Sequence, residues 1–159
     1  MFVPEQKNDD GQDQELANVV RSMTWIVEGK IAVGNFGAAL DREFLRGHGF
    51  RSILGLTNHL TGKKPDGLGV EAVEVIPLLD GPGNDSRTFE RAVAVLAQFA
   101  EKHPPVLVHY HAGRSRSVVV AAAYLKGVLG LESEEALLLV TQKREACVTP
   151  ALMSLLDAL

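Results

Sequence analysis

The stretch that most constrains this chain is PPVLVHYHAGRSRSVVVAAAYL, running from Pro104 to Leu125. Two prolines end whatever helix precedes them, and the apolar run from Val106 to Val108 that follows has the length of a buried strand. A short polar segment with one glycine comes next, and then a second, longer apolar run from Val118. The pattern predicts strand, tight loop and helix. A loop set between a strand end and a helix N-terminus can aim several backbone N–H groups at one point, and the helix dipole adds positive potential there. Gly113 lets the backbone approach a ligand closely. The planar fork of Arg116 can grip two oxygens at once. Ser117 supplies a hydroxyl at the helix start. Together these features suit a tetrahedral dianion, phosphate or sulfate. Tyr110 is the discordant residue, because it delivers a bulky ring where the strand hands over to this cradle.

The rest of the chain reads as one α/β domain with a central, mostly parallel sheet flanked by helices and a helical C-terminal half. Its 159 residues suffice for a single hydrophobic core. WIVEGKIAVGN reads as two strands meeting at Gly29-Lys30, and GAALDREFLRGHG as one helix closed by Gly47 and Gly49. FRSILGL and VEAVEVIPL are further strands, separated by a surface loop, TNHLTGKKPDGLG. After the glycine-rich break DGPGND, Ser86 is expected to cap a helix with Phe89, Ala92, Val93, Val95, Leu96 and Phe99 inward. Later helices are expected to open at Ser117, at Ser133 and at Thr149-Pro150. The polar segment 1–23 reads as a tail or arm, with Leu16 to Thr24 a short helix or extended, and 24–159 as the folded domain.

The formal charge of −4 disfavours nucleic acid and anionic membrane surfaces as partners, so an anion site must be built locally. The single cysteine, Cys147, rules out an intramolecular disulfide and suits a reducing compartment. It is expected to be a buried or half-buried apolar residue. Nothing reads as a secretory signal or a membrane-spanning stretch, which makes the cytoplasm the expected location.

The loop resembles the signature of the cysteine-dependent protein phosphatases of the dual-specificity type, His-Cys-five residues-Arg-Ser/Thr. His109 and Tyr110 stand at its first two positions; His111, Ala112, Gly113, Arg114 and Ser115 fill the spacer, and Arg116-Ser117 closes it. The resemblance extends to VEVIPLLDGPGND, which looks like the family's strand and general-acid loop. Asp80 there lies 110 − 80 = 30 residues before the nucleophile position. It also takes in KIAVGNFGAALDREFLRGHGFRSILGL and the final two helices, covering roughly 24–159.

The resemblance implies a phosphomonoesterase fold that needs neither metal nor cofactor. In that family a thiolate attacks phosphorus and forms a phosphocysteine. The residue matching Arg116 stabilises the transition state, and the one matching Asp80 acts as general acid and then base. The hydroxyl matching Ser117 assists the leaving thiolate, the spacer residues cradle phosphate, and the histidine matching His109 supports the loop. Tyr110 replaces the thiolate. An ordinary phenol has a pKa of about 10, and its oxygen lies too far from the backbone to occupy the sulfur's place. The ring must either project into the phosphate site or swing out and distort the loop. The chain is therefore expected to be catalytically dead and a poor phosphate binder, with phosphate or sulfate entering only if Tyr110 leaves room.

The leading reading is a phosphatase domain whose parent enzyme carries the cysteine and hydrolyses phosphomonoesters, inactivated here at Tyr110, and the implied partner is a phosphorylated protein or another phosphomonoester; the second reading is a natural pseudophosphatase that binds or scaffolds phosphoproteins. A rhodanese-like sulfur carrier, which shares the strand–loop–helix cradle, is disfavoured by Asp80 and by the Arg116-Ser117 ending. Asp85, Lys63 and Lys64 read as solvated loop residues, and His111 and Arg114 as residues of the rim.

Overall fold

The computed structural model describes residues 20–110, 115–144 and 146–159. Five strands form one sheet: β1 (Met23–Val27), β2 (Ile31–Gly34), β3 (Ser52–Gly55), β4 (Ala72–Val75) and β5 (Val106–His109). Their order is β1-β2-β5-β3-β4. The β1–β2 pair is antiparallel, as its tight turn at Gly29 (φ 73°) requires, and the other pairings are parallel. Seven α-helices occur among the described residues: α1 (Phe36–Ala39), α2 (Arg42–Gly47), α3 (Pro65–Leu68), α4 (Ser86–Lys102), α5 (Ser115–Leu129), α6 (Ser133–Lys143) and α7 (Pro150–Asp157). This is the α/β architecture with a helical C-terminal half that the sequence pattern implied.

The alternation of side chains along the strands sorts the core into two layers. On one face Val33, Leu54, Val106 and Val108 pack against Phe89, Leu96, Val118, Val140 and Leu152 of α4 to α7. On the other, Ala32, Ile53 and Leu107 meet Ala38, Leu45, Leu60 and Leu68. All four residues of β5 are buried, as expected of the middle strand of a sheet covered on both sides.

Four boundaries differ from the sequence reading, each for a local reason. The predicted helix over GAALDREFLRGHG is two helices, because the Asp41 carboxylate accepts from Phe44 N at 3.0 Å and starts α2 afresh. Asp85, and not Ser86, is the N-cap of α4: its carboxylate accepts from Arg87 N at 3.3 Å, and Ser86 is already helical. Helix α5 opens at Ser115 rather than at Ser117, which places Ser117 inside the first turn and fully buried. The predicted loop 57–69 contains a 3₁₀ turn (Asn58–Leu60) and α3, because Leu60 and Leu68 supply apolar anchors that a free loop lacks. The Thr149-Pro150 start of α7 is as expected, with Thr149 Oγ1 accepting from Leu152 N at 3.4 Å. The N-terminal residues 1–19 lie outside the described residues, and with them most of the expected tail.

Candidate active site

Parallel strands direct their C-terminal ends to one edge of the sheet, and loops at that edge are where α/β proteins assemble ligand sites. Here β5 is pinned at its end from both sides. His109 lies in register with Gly34 of β2 and with Gly55 of β3. Tyr110 N donates to Gly34 O at 3.0 Å, and Leu56 N donates to His109 O at 3.1 Å. Gly34 has no room for a side chain, because an added Cβ would sit 2.8 Å from Leu107 Cδ1 and 3.1 Å from Ser22 O. The strand end that carries positions 109 and 110 is therefore set by backbone contacts.

Of the sequence-predicted loop, His111, Ala112, Gly113 and Arg114 lie outside the described residues. The remaining members fall on the first turn of α5. Ser115 is buried and its hydroxyl donates to the carbonyl of Cys147. Arg116 is half-buried; its Nη1 donates to Leu78 O at 2.8 Å, while its buried Nε has no hydrogen-bond partner among the described residues. Leu78 precedes Asp80 by two residues, so this bond ties the signature arginine to the entry of the predicted acid loop. Asp80 itself is exposed.

Its loop is shaped by a residue the sequence reading passed over. The Asn84 side chain accepts from Leu79 N at 2.7 Å and donates to Leu79 O at 2.7 Å and to Gly81 O at 3.2 Å, closing the turn that presents Asp80. The DGPGND composition signals such a turn, since Asn side chains mimic backbone partners. Asp85, read from the sequence as a solvated loop residue, is engaged as the α4 cap.

His109 is fully buried, and its Nε2 lies 3.0 Å from Thr57 Oγ1. The same hydroxyl lies 2.7 Å from His59 Nδ1, and the His59 ring stacks on Phe36 with centroids 4.9 Å apart. One hydroxyl thus joins two imidazoles from the ends of neighbouring strands. Neither Thr57 nor His59 carries a motif signal; only their position after β3 brings them here.

Tyr110 is 4% exposed. Its ring lies beneath the guanidinium of Arg144, whose Cζ is 4.7 Å from the ring centroid. Alternation along the strand accounts for this: Val106, Val108 and Tyr110 share the face covered by α4 to α7, and His109 takes the opposite face. Arg144, likewise missed by sequence reasoning, is 5% exposed, and burial pushes its guanidinium below the usual arginine range. Cys147 is exposed, contrary to the expectation of a buried or half-buried thiol, because it sits in the irregular link between α6 and α7 and not in a helix. Lys63 and Lys64 are exposed, as loop residues are expected to be.

No cluster of three or more His, Cys, Asp or Glu side chains suited to a metal occurs among the described residues. No helix among them is long and apolar enough to cross a membrane.

The chain is 29% identical over 120 residues to the Drosophila melanogaster dual specificity protein phosphatase Mpk3, covering 75% of this chain and 29% of that protein. It is 29% identical over 119 residues to Arabidopsis thaliana dual specificity protein phosphatase 1, covering 75% of this chain and 59% of that one. The chain thus spans less than two thirds of either relative. Among solved structures it is similar to human DUSP28, with a TM-score of 0.73 at 25% identity, covering 88% of this chain and 93% of that one. The family model described as "Dual specificity phosphatase, catalytic domain" matches residues 32–157, nearly the whole of the described fold, and the chain belongs to that family.

Proposed function

We propose that this chain is a dual-specificity phosphatase domain that holds phosphomonoesters, phosphoproteins foremost, without hydrolysing them. The observation that carries the reading is the pair of contrasting environments at positions 110 and 116. Tyr110 offers no thiolate, and its ring is buried against Arg144. A phenol held in that layer cannot mount an in-line attack on a phosphorus gripped by Arg116, so no phosphoenzyme forms. Arg116, by contrast, is steadied through Leu78 O and keeps a buried Nε donor without a partner among the described residues. A buried, unpaired donor on a cation is costly, and an oxyanion oxygen would satisfy it.

The sequence-based expectation of poor phosphate binding covered both a ring in the phosphate site and a ring swung out of it. The burial of the ring against Arg144 favours the second arrangement, and on our reading that arrangement leaves room for the anion. On this reading Asp80, Ser117 and His109 match the family's general acid/base, leaving-group assistant and loop support. In the absence of the nucleophile those roles have no step to serve. The same features favour the pseudophosphatase reading over that of an active enzyme.

The test pairs binding with turnover. Inorganic phosphate and a phosphotyrosyl peptide are titrated into the protein by calorimetry, and p-nitrophenyl phosphate hydrolysis is followed in parallel. Saturable binding that weakens at least tenfold in Arg116→Ala, together with hydrolysis at the background rate, is the expected result. Steady hydrolysis abolished by Asp80→Asn would overturn it, as would phosphate binding that is indifferent to Arg116.

A further inference from the structure

Arg144 is a buried cation with no carboxylate partner among the described residues. Its Nη1 donates to Thr24 Oγ1 at 3.0 Å and reaches Val33 O at 3.5 Å, and its Nη2 reaches Ser22 Oγ at 3.4 Å. Its Nε has no hydrogen-bond partner among the described residues. These contacts are neutral and two of them are long, a thin set for a guanidinium withdrawn from water. A further favourable contact is the face of Tyr110, 4.7 Å from Cζ. The face of an aromatic ring attracts a cation, and more strongly when both are desolvated. Through its other atoms the same guanidinium reaches the segment leading into β1, β1 itself and β2, while its backbone N closes α6 on Val140 O at 3.0 Å.

We propose that Tyr110 and Arg144 form a structural clamp, in which the ring at the nucleophile position serves as the π platform for a buried arginine that fastens the β1–β2 edge to the end of α6. On this account position 110 is a core position of the helical layer. A cysteine there, too short to present a face to Arg144, leaves both a cavity and a poorly compensated charge. The clamp is a property of the fold and does not depend on whether the anion site is occupied.

The experiment compares thermal and urea unfolding of the full chain with Tyr110→Phe, Tyr110→Leu, Tyr110→Cys, Arg144→Met and the paired variants. Phenylalanine retains the platform and is expected to melt close to the unsubstituted chain. Leucine keeps apolar bulk without a π face and is expected to melt several degrees lower. Cysteine is expected to fall by roughly 5–12 °C, from the cost of deleting a buried ring in a domain of this size. Arg144→Met is expected to lose the difference between phenylalanine and leucine at position 110, a coupling that simple loss of packing would not produce. Amide exchange in β1 and β2 is expected to quicken in Tyr110→Leu and not in Tyr110→Phe. Equal melting of the phenylalanine and leucine variants, or a difference between them that persists in the Arg144→Met background, would overturn the clamp. Should a cysteine or methionine variant fail to fold, the phenylalanine–leucine comparison by amide exchange decides alone.

Discussion

Replacing Thr57 by valine removes one oxygen and leaves the shape of the side chain almost unchanged, so its effect reports on hydrogen bonding. Thr57 is 8% exposed, and its hydroxyl lies 2.7 Å from His59 Nδ1 and 3.0 Å from His109 Nε2. A hydroxyl has one proton and can donate only once, so at most one of the two ring nitrogens accepts from it and the other must donate an N–H. The tautomers of the two histidines are thereby coupled: an imidazole that presents a lone pair to Thr57 obliges the other to carry its proton there. Valine breaks both contacts and withdraws a partner from the buried His109 ring and from the half-buried His59 ring. At about 1–2 kcal/mol for each interrupted contact, Thr57→Val is expected to cost about 2–4 kcal/mol. At roughly 3 °C per kcal/mol, this lowers the melting temperature by about 6–12 °C. Urea and thermal unfolding measure the loss, and Thr57→Ser, which keeps the hydroxyl, is expected to recover most of it. Nitrogen-15 shifts of the His109 ring are expected to change in the valine variant and to stay put in the serine variant. A valine variant within about 0.5 kcal/mol of the parent, or a serine variant as unstable as valine, would refute the bridging role.

Two further outcomes follow from the packing. The Asp41 carboxyl is held below its ordinary value, first by the Phe44 backbone N–H it accepts and then by Arg21, whose Nε donates to it at 2.9 Å. A depressed carboxyl stabilises the fold above its unfolded pKa near 4, and the contribution is lost as pH falls through the lower folded value. Asp41→Ala is therefore expected to cost about 1 kcal/mol at pH 7, with the gap to the parent closing below about pH 4, as urea midpoints across pH would show. The Lys126 ammonium donates to Ser133 Oγ at 2.9 Å and to Leu156 O at 3.0 Å, joining α5, α6 and α7. Lys126→Met is expected to destabilise by about 1.5–3 kcal/mol and to quicken amide exchange in α7 ahead of α5, whereas Lys126→Arg is expected to retain part of the link.

The sheet and its helical cover were legible because periodicity reports burial: the apolar run of β5 and the spacing of Phe89, Ala92, Leu96 and Phe99 each admit few arrangements. The family was legible because Arg116, Ser117 and Gly113 sit at the signature's fixed offsets from a strand end. What escaped was set by contacts distant in sequence or by competition between neighbours. Asp85 and Ser86 are both good caps, and only the path of the chain chose the aspartate. Arg144 reads as an ordinary lysine-arginine helix end until Thr24, Val33 and Tyr110, all remote in sequence, are seen to converge on it. Thr57 and Asn84 bind through single side-chain atoms to partners that periodicity does not encode. Cys147 was misjudged because cysteine's average preference for burial says little about a link between helices.

The signature arginine and the residue at the nucleophile position are anchored to different parts of the protein. Arg116 leans on Leu78 in the acid loop, and Tyr110 leans on Arg144 at the end of α6. Their supports are separate, so substitutions can accumulate around one without disturbing the other. On the reading proposed above, a domain wired in this way could lose its reaction and keep its grip on phosphate by changes confined to the surroundings of position 110.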